Sequence, residues 1–300
     1  MASPEGWPRS ARRRLAHVAR QLLPPVVASV AQQVRDRRRP PAAPSWEVLP
    51  AWPEADPSIR GWDVEAVADR MLALWPGFVE SIEDAAPFGL TNEVAESPWG
   101  DIGMHNTILS FGYVLARAAR GLEELAMLDW GGGLGRYCLL ARALVPELRL
   151  DYFCRDVPAL VRAGRRVLPE AVFCEDDDTA FGRTYDLVVA SGSLQYARDW
   201  TGVLAGLARA TRGYLYVTRM PLVESVAPFV VVQRPYAHGL ATEFAGWVLN
   251  RGEFLDEARS LGLELEREFL VTARKEIRGA PEQFVRRGFL FRSQAGKRSP

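Results

Sequence analysis

Cysteine, histidine and lysine are all scarce in this chain of 300 residues, and long apolar runs are absent. The three cysteines, Cys138, Cys154 and Cys174, form no C-x-x-C pair. An odd count, with no signal-peptide pattern ahead of it, fits small buried thiols in a reducing compartment. The three histidines, His17, His105 and His238, are scattered, so no metal centre is expected. No apolar run nears the ~18 residues that span a bilayer, and a cytoplasmic protein is expected. Lysine is confined to Lys275 and Lys297, a bias that carries no mechanism.

Core material is ample. A chain 48% hydrophobic can bury a full core, and one main domain plus an extension is expected. The net charge is zero but unevenly spread. Residues 1 to 40 hold nine arginines against Glu5 and Asp36, a local excess of seven, which leaves the body acidic. An acidic body lacks the basic face of a nucleic-acid binder. Within residues 1–45, Leu15, Val18 and Leu22 repeat at helical spacing, as do Val27, Val30 and Val34, with Pro24 and Pro25 between them. Two readings follow. The proline-interrupted pattern favours a frayed, solvated leader; a basic amphipathic pair could instead rest on anionic lipid at the inner face of a membrane.

Residues 125 to 144, LAMLDWGGGLGRYCLLARAL, organise the rest. Leu125 to Leu128 form an apolar run suited to a strand buried on both faces. Asp129 ends it, and Gly131, Gly132, Gly133 and Gly135 follow. Tyr137, Leu140, Ala141 and Leu144 then lie on one helical face. Strand, glycine turn and helix in that order let a ligand approach bare backbone and unpaired N–H groups. The dinucleotide spacing G-x-G-x-x-G fails, because Arg136 stands where its third glycine belongs. An NAD-dependent dehydrogenase is therefore disfavoured.

The pattern that is present, D-x-G-x-G-x-G over Asp129, Gly131, Gly133 and Gly135, resembles the class I methyltransferases that use S-adenosylmethionine (SAM). Further strands fit the residues at 150–156, 171–174, 185–191 and 214–218, with helices between them. Asn250 and Glu253 fit an N-cap pair with Gly262 as the helix stop, and LELEREFL and VRRGFLF read as a closing antiparallel pair. The expectation is an α/β, doubly wound sheet. The resemblance implies a seven-stranded Rossmann-like methyltransferase sheet in the order 3-2-1-4-5-7-6. Its divisions would be an arm over 1–45, a helical cap over 46–120 and a SAM-dependent methyltransferase domain over 121–295. Across residues 122 to 265 the chain is similar to a bacterial methyltransferase-like family marked by a GGGLG turn, then S-x-x-L-Q-Y, R-x-P and a V-Q pair. Here these read Ser191 with Leu194-Gln195-Tyr196, Arg219 with Pro221, and Val232-Gln233.

Ligand groups in such sheets gather beyond the carboxyl ends of the strands. The cofactor would be SAM, bound by Asp129, Gly131, Gly132, Gly133, Gly135, Asp156, Asp176, Asp177 and Ser191. Asp156 could accept both ribose hydroxyls, or cap the helix that starts at Pro158. Asp176 is preferred over Asp177 for the adenine amino group, with a solvated acidic turn as the alternative. Base candidates are His238, His105 and Asp199, and Tyr196 and Gln195 could orient an acceptor hydroxyl, with core packing of Tyr196 as the alternative. The expected activity is O-methylation of a small-molecule or glycan hydroxyl. Alternatives are a catalytically silent SAM-fold scaffold and an N-methyltransferase of a small amine.

Overall fold

The computed structural model describes residues 45–54, 56–84, 88 and 102–294, without the side chains of 237, 238 and 273–275. The expected arm therefore lies outside the described residues. The chain opens with strand β1 (Trp46–Leu49), then helices α1 (Glu65–Glu83) and α2 (Ile102–Ala118). Alternation follows through β2 (Glu124–Trp130), α3 (Arg136–Leu144), β3 (Arg149–Arg155), α4 (Pro158–Val167), β4 (Val172–Cys174), α5 (Asp177–Phe181) and β5 (Tyr185–Ser191). A 3₁₀ turn over Leu194–Tyr196 leads to α6 (Trp200–Ala210) and the thirteen-residue strand β6 (Thr211–Val223). The rest is β7 (Phe229–Gln233), a 3₁₀ turn over Pro235–His238, β8 (Phe244–Asn250), α7 (Arg251–Ser260), β9 (Leu263–Lys275) and β10 (Phe284–Ser293).

Successive side chains of a strand point to opposite faces, so one apolar run serves two cores. On β2, Leu125 and Met127 join the cluster built with α1 to α4, whereas Ala126, Leu128 and Trp130 join the cluster under α6 and α7. On β5, Leu187 and Val189 take the first side, Val188 and Ala190 the second. The strands β4, β3, β2, β5 and β6 pair in parallel in that order. β10 pairs antiparallel with β6, and β9 with β10.

The seven-stranded expectation needs correction, because the sheet has ten strands among the described residues. β6 runs past the end of β5, and its last residues pair with β8 (Leu222 with Leu249, Val223 with Asn250). β7 and β1 then add antiparallel to β8. These three strands form an overhang beyond the carboxyl end of β5, where the sequence reading named no strand. The separate helical cap is also corrected. Val67, Met71 and Trp75 of α1 and Ile108, Phe111 and Leu115 of α2 share one core with Leu125, Met127 and Tyr216 of the sheet. Their apolar stripes face the sheet, so both helices belong to its covering layer. The cap pairing read at Asn250 is present: its Oδ1 accepts the Glu253 N–H at 3.1 Å.

Candidate functional site

β2 ends at Trp130, and the backbone turns sharply away through Gly131 (φ +71°) and Gly133 (φ +62°). A side chain at Gly131 would put its Cβ 2.3 Å from Ser193 Cβ, and one at Gly133 would meet Met71 at 2.9 Å in a conformation that L residues resist. The Gly131 N–H donates to the Arg155 carbonyl at 2.8 Å, tying the turn to the end of β3. Gly135, also at positive φ, starts α3. Gly131, Gly132 and Gly133 line a cavity of about 780 Å³, inside the range of about 300–1,000 Å³ for small-molecule sites.

Asp156, 6% exposed, reaches back across this turn. Its Oδ2 accepts the Gly133 N–H at 2.6 Å and its Oδ1 the Val157 N–H at 2.7 Å. It lines the cavity while bracing both the glycine turn and the start of α4. Asp129 is fully buried, with Tyr152 Oη donating to its Oδ2 at 2.6 Å. Burial, reinforced by Asp129, pushes the Tyr152 phenol well up, which keeps it a donor. Asp129 thus supports the turn from behind and is not among the cavity-lining residues.

Of the two acids after β4, Asp177 lines the cavity and Asp176 does not. Asp176 is the N-cap of α5: its Oδ1 accepts the Thr179 N–H at 2.7 Å and its Oδ2 the Thr179 hydroxyl at 3.0 Å. Those bonds hold its carboxyl below the usual range. Asp177, one residue on, lines the cavity, accepts from Trp130 Nε1 at 2.7 Å and pairs with Arg155 at 2.8 Å. One step along a helix turns a side chain by about 100°, enough to separate a cap from a site residue.

Ser191, at the end of β5, is buried and lines the cavity. Its Oγ accepts from Tyr137 Oη at 2.7 Å and from Arg136 at 3.3 Å. Burial pushes the Tyr137 phenol up, so it remains a donor. Arg136 is only 5% exposed, and its guanidinium lies 5.1 Å from the Tyr137 ring centre. Arg219 is the one non-glycine residue at positive φ (61°) among the described residues, and its guanidinium packs against Gly192. A left-handed backbone at arginine costs free energy and clusters at functional sites. Around the cavity Arg136, Arg155, Arg219 and Arg286 face Glu54, Asp56, Asp156 and Asp177, so neither sign dominates as it would in a nucleic-acid groove.

Of the base candidates, His105 sits on α2 with its Nδ1 2.8 Å from the Phe88 carbonyl and is not among the lining residues. Asp199 is an N-cap as well, accepting from Gly202 N at 2.9 Å. His238 ends the short helical turn whose first residue, Pro235, lines the cavity; its side chain lies outside the described residues. Tyr196 does line the cavity, and its hydroxyl donates to Gln233 Oε1 at 3.0 Å. All three cysteines are buried, and burial pushes Cys138 and Cys174 up to about 11 and Cys154 well above its usual value. Thiols so raised are inert at neutral pH.

The sequence reading missed Arg136, Arg155, Trp62, Trp130 and Phe244 as cavity residues. Arg219 and Gln233 carried a signal only through the shared R-x-P and V-Q segments, whereas Gln195 stood beside Tyr196 as a residue that could orient an acceptor hydroxyl. All three meet at this cavity.

No family model and no curated protein matches this chain. Solved structures similar to it include a SAM-dependent methyltransferase from Clostridium acetobutylicum, at 11% identity and a TM-score of 0.43 over 63% of this chain and 90% of that one. A SAM-dependent methyltransferase from Methanosarcina mazei is similar at 14% identity and a TM-score of 0.44, over 57% and 93% of the two chains. So is the [4+2]-cyclase SpnF, at 14% identity and a TM-score of 0.47, over 79% and 98%. Likenesses this distant leave the chemistry to the site's own residues.

Proposed function

We propose that this chain is a SAM-dependent methyltransferase acting on a hydroxyl group of a small molecule or glycan. The observation that carries the reading is the glycine turn itself. Gly131 to Gly133 present bare backbone to a cavity beyond the carboxyl ends of the parallel strands, with Asp156 and Asp177 on its wall. The donor set suits the cofactor. Asp156 lines the cavity beside the glycine turn, where a carboxylate can accept from ribose hydroxyls. Asp177 supplies an acceptor for an adenine amino group, and Arg136 a buried positive charge for a carboxylate tail. Bound there, SAM would supply an activated sulfonium methyl group to an acceptor oxygen. The protein then has to align the acceptor and take its proton. His238 is assigned that proton, because its helical turn borders the cavity through Pro235.

Calorimetry tests the reading. SAM and its demethylated product, S-adenosylhomocysteine, should bind and NAD should not. Gly133→Val should abolish binding, since a branched side chain at φ +62° strains the turn and enters ligand space. His238→Ala should slow the chemical step by about 10²–10⁴-fold with SAM still bound. Wild-type affinity in Gly133→Val would remove the site from this turn.

A further inference from the structure

Two buried polar atoms on residues that line the cavity have no hydrogen-bond partner among the described residues. One is Gln195 Oε1, on a residue 6% exposed in the 3₁₀ turn after β5. The other is Trp62 Nε1, ahead of α1. Both residues line the cavity. A buried acceptor or donor left unmade is costly, and most such groups in native proteins are satisfied. Here one acceptor and one donor flank the same space.

Aromatic rings surround them. Trp62 stacks on Phe244 with ring centres 4.0 Å apart and planes 15° apart, and meets Tyr196 edge-on at 5.3 Å. Phe244 belongs to β8 and Trp46 to β1, so the overhang of extra strands builds this wall. Gln233, at the end of β7, is already engaged by the Tyr196 hydroxyl. The wall thus sets flat ring faces beside the two unpartnered atoms, with the Arg286 guanidinium 5.7 Å from the Trp46 ring centre. A saccharide carries a hydroxyl on most of its carbons, whereas Gln195 and Trp62 leave one acceptor and one donor to be matched. A planar ring with one hydroxyl and one further oxygen matches the inventory.

Resting on the methyl-transfer reading, we infer that this chamber seats a flat, hydroxylated aromatic acceptor. Gln195 Oε1 accepts from the acceptor's hydroxyl, and Trp62 Nε1 donates to an oxygen at the other end of the ring system. Gln195 follows Ser193, whose side chain fills the space over Gly131, so the hydroxyl sits on the glycine-turn side.

The test uses the full-length chain and 4-hydroxyacetophenone, with a hydroxyl at one end and a carbonyl at the other. Acetophenone and methyl β-glucoside serve as comparisons. Ligand-observed NMR titrations are run with and without S-adenosylhomocysteine. The hydroxylated ketone should bind roughly tenfold tighter than acetophenone, the scale of one buried hydrogen bond, and the glucoside should not compete. Gln195→Leu should erase the difference between the two ketones. Trp62→Phe, which keeps a ring in place, should weaken both ketones alike. Melting temperatures separate ligand effects from folding, and Gln195→Leu should melt no lower than wild type because Oε1 loses no bond. Equal affinity for the two ketones, glucoside binding at least as tight, or variants that change nothing would overturn the chamber. If the ketone pattern holds while S-adenosylhomocysteine fails to bind, the chamber stands and the methyl-transfer reading falls. Binding of S-adenosylhomocysteine without the ketone pattern does the reverse.

Discussion

Asp156 commits both carboxylate oxygens to backbone N–H groups, one on the glycine turn and one at the start of α4. Its removal should therefore act on the free protein as well as on the cofactor. Asp156→Ala leaves the Gly133 N–H without its charged acceptor. It should cost about 1.5–3 kcal/mol of stability, the scale of hydrogen bonds to charged groups. Cofactor affinity should fall in the same variant. Urea unfolding beside calorimetry checks both, and Asp156→Asn, which keeps one carbonyl acceptor, should fall between. A variant with wild-type stability would show that the turn holds itself. The pair Asp176 and Asp177 shows how finely such roles divide: adjacent acids, one a helix cap and one on the cavity wall.

At the scale of elements, the parallel core is clamped at the start of β5. Asp186 accepts from Arg212 Nε and Nη2, both at 2.7 Å, and from the Ala126 N–H of β2 at 3.0 Å. Burial opposes ionisation of its carboxyl, but the Arg212 and Ala126 hydrogen bonds outweigh that and hold it below the usual value. A carboxylate whose folded pKa lies under its unfolded value of about 3.9 stabilises the fold fully above that pH. The contribution is lost as pH falls through the folded value. Urea midpoints measured from about pH 5 downward should drop for wild type, and drop less for Asp186→Asn, which starts lower. Parallel acid limbs in the two proteins would rule this clamp out. β6 makes the other decisive link, since its overrun past β5 is what lets β8, β7 and β1 rise as a wall beside the glycine turn.

For the whole molecule, charge is divided between an arginine-rich first segment and an acidic remainder. Among the described residues no helix is long and apolar enough to cross a membrane. A lipid-facing arm over residues 1–45 makes a sharp prediction. Deleting it should cut binding to anionic vesicles and leave SAM affinity unchanged, and added salt should weaken the full-length protein's binding through screening. Equal vesicle binding by the two proteins would leave the arm a solvated leader.

What the sequence determined by itself is local. Leu125 to Leu128, the spaced glycines and the face of Tyr137 and Leu140 together specify strand, turn and helix, because each depends on neighbours a few residues away. Short apolar runs located β3 to β6, and Asn250 with Glu253 located the start of α7 for the same reason. The overhang was not legible. The valines at 230–232 are a fair strand signal, but their pairing with residues 245–248 and with β1 depends on where β6 ends in space. The site divided likewise. Gly131 and Gly133 were readable from spacing. The meeting of Trp62 with Gln195 and Phe244 joins a segment to two others more than a hundred residues further along the chain, and only the tertiary structure decided it. Periodicity reports that a face is buried; which surface buries it is set by packing across the whole sheet.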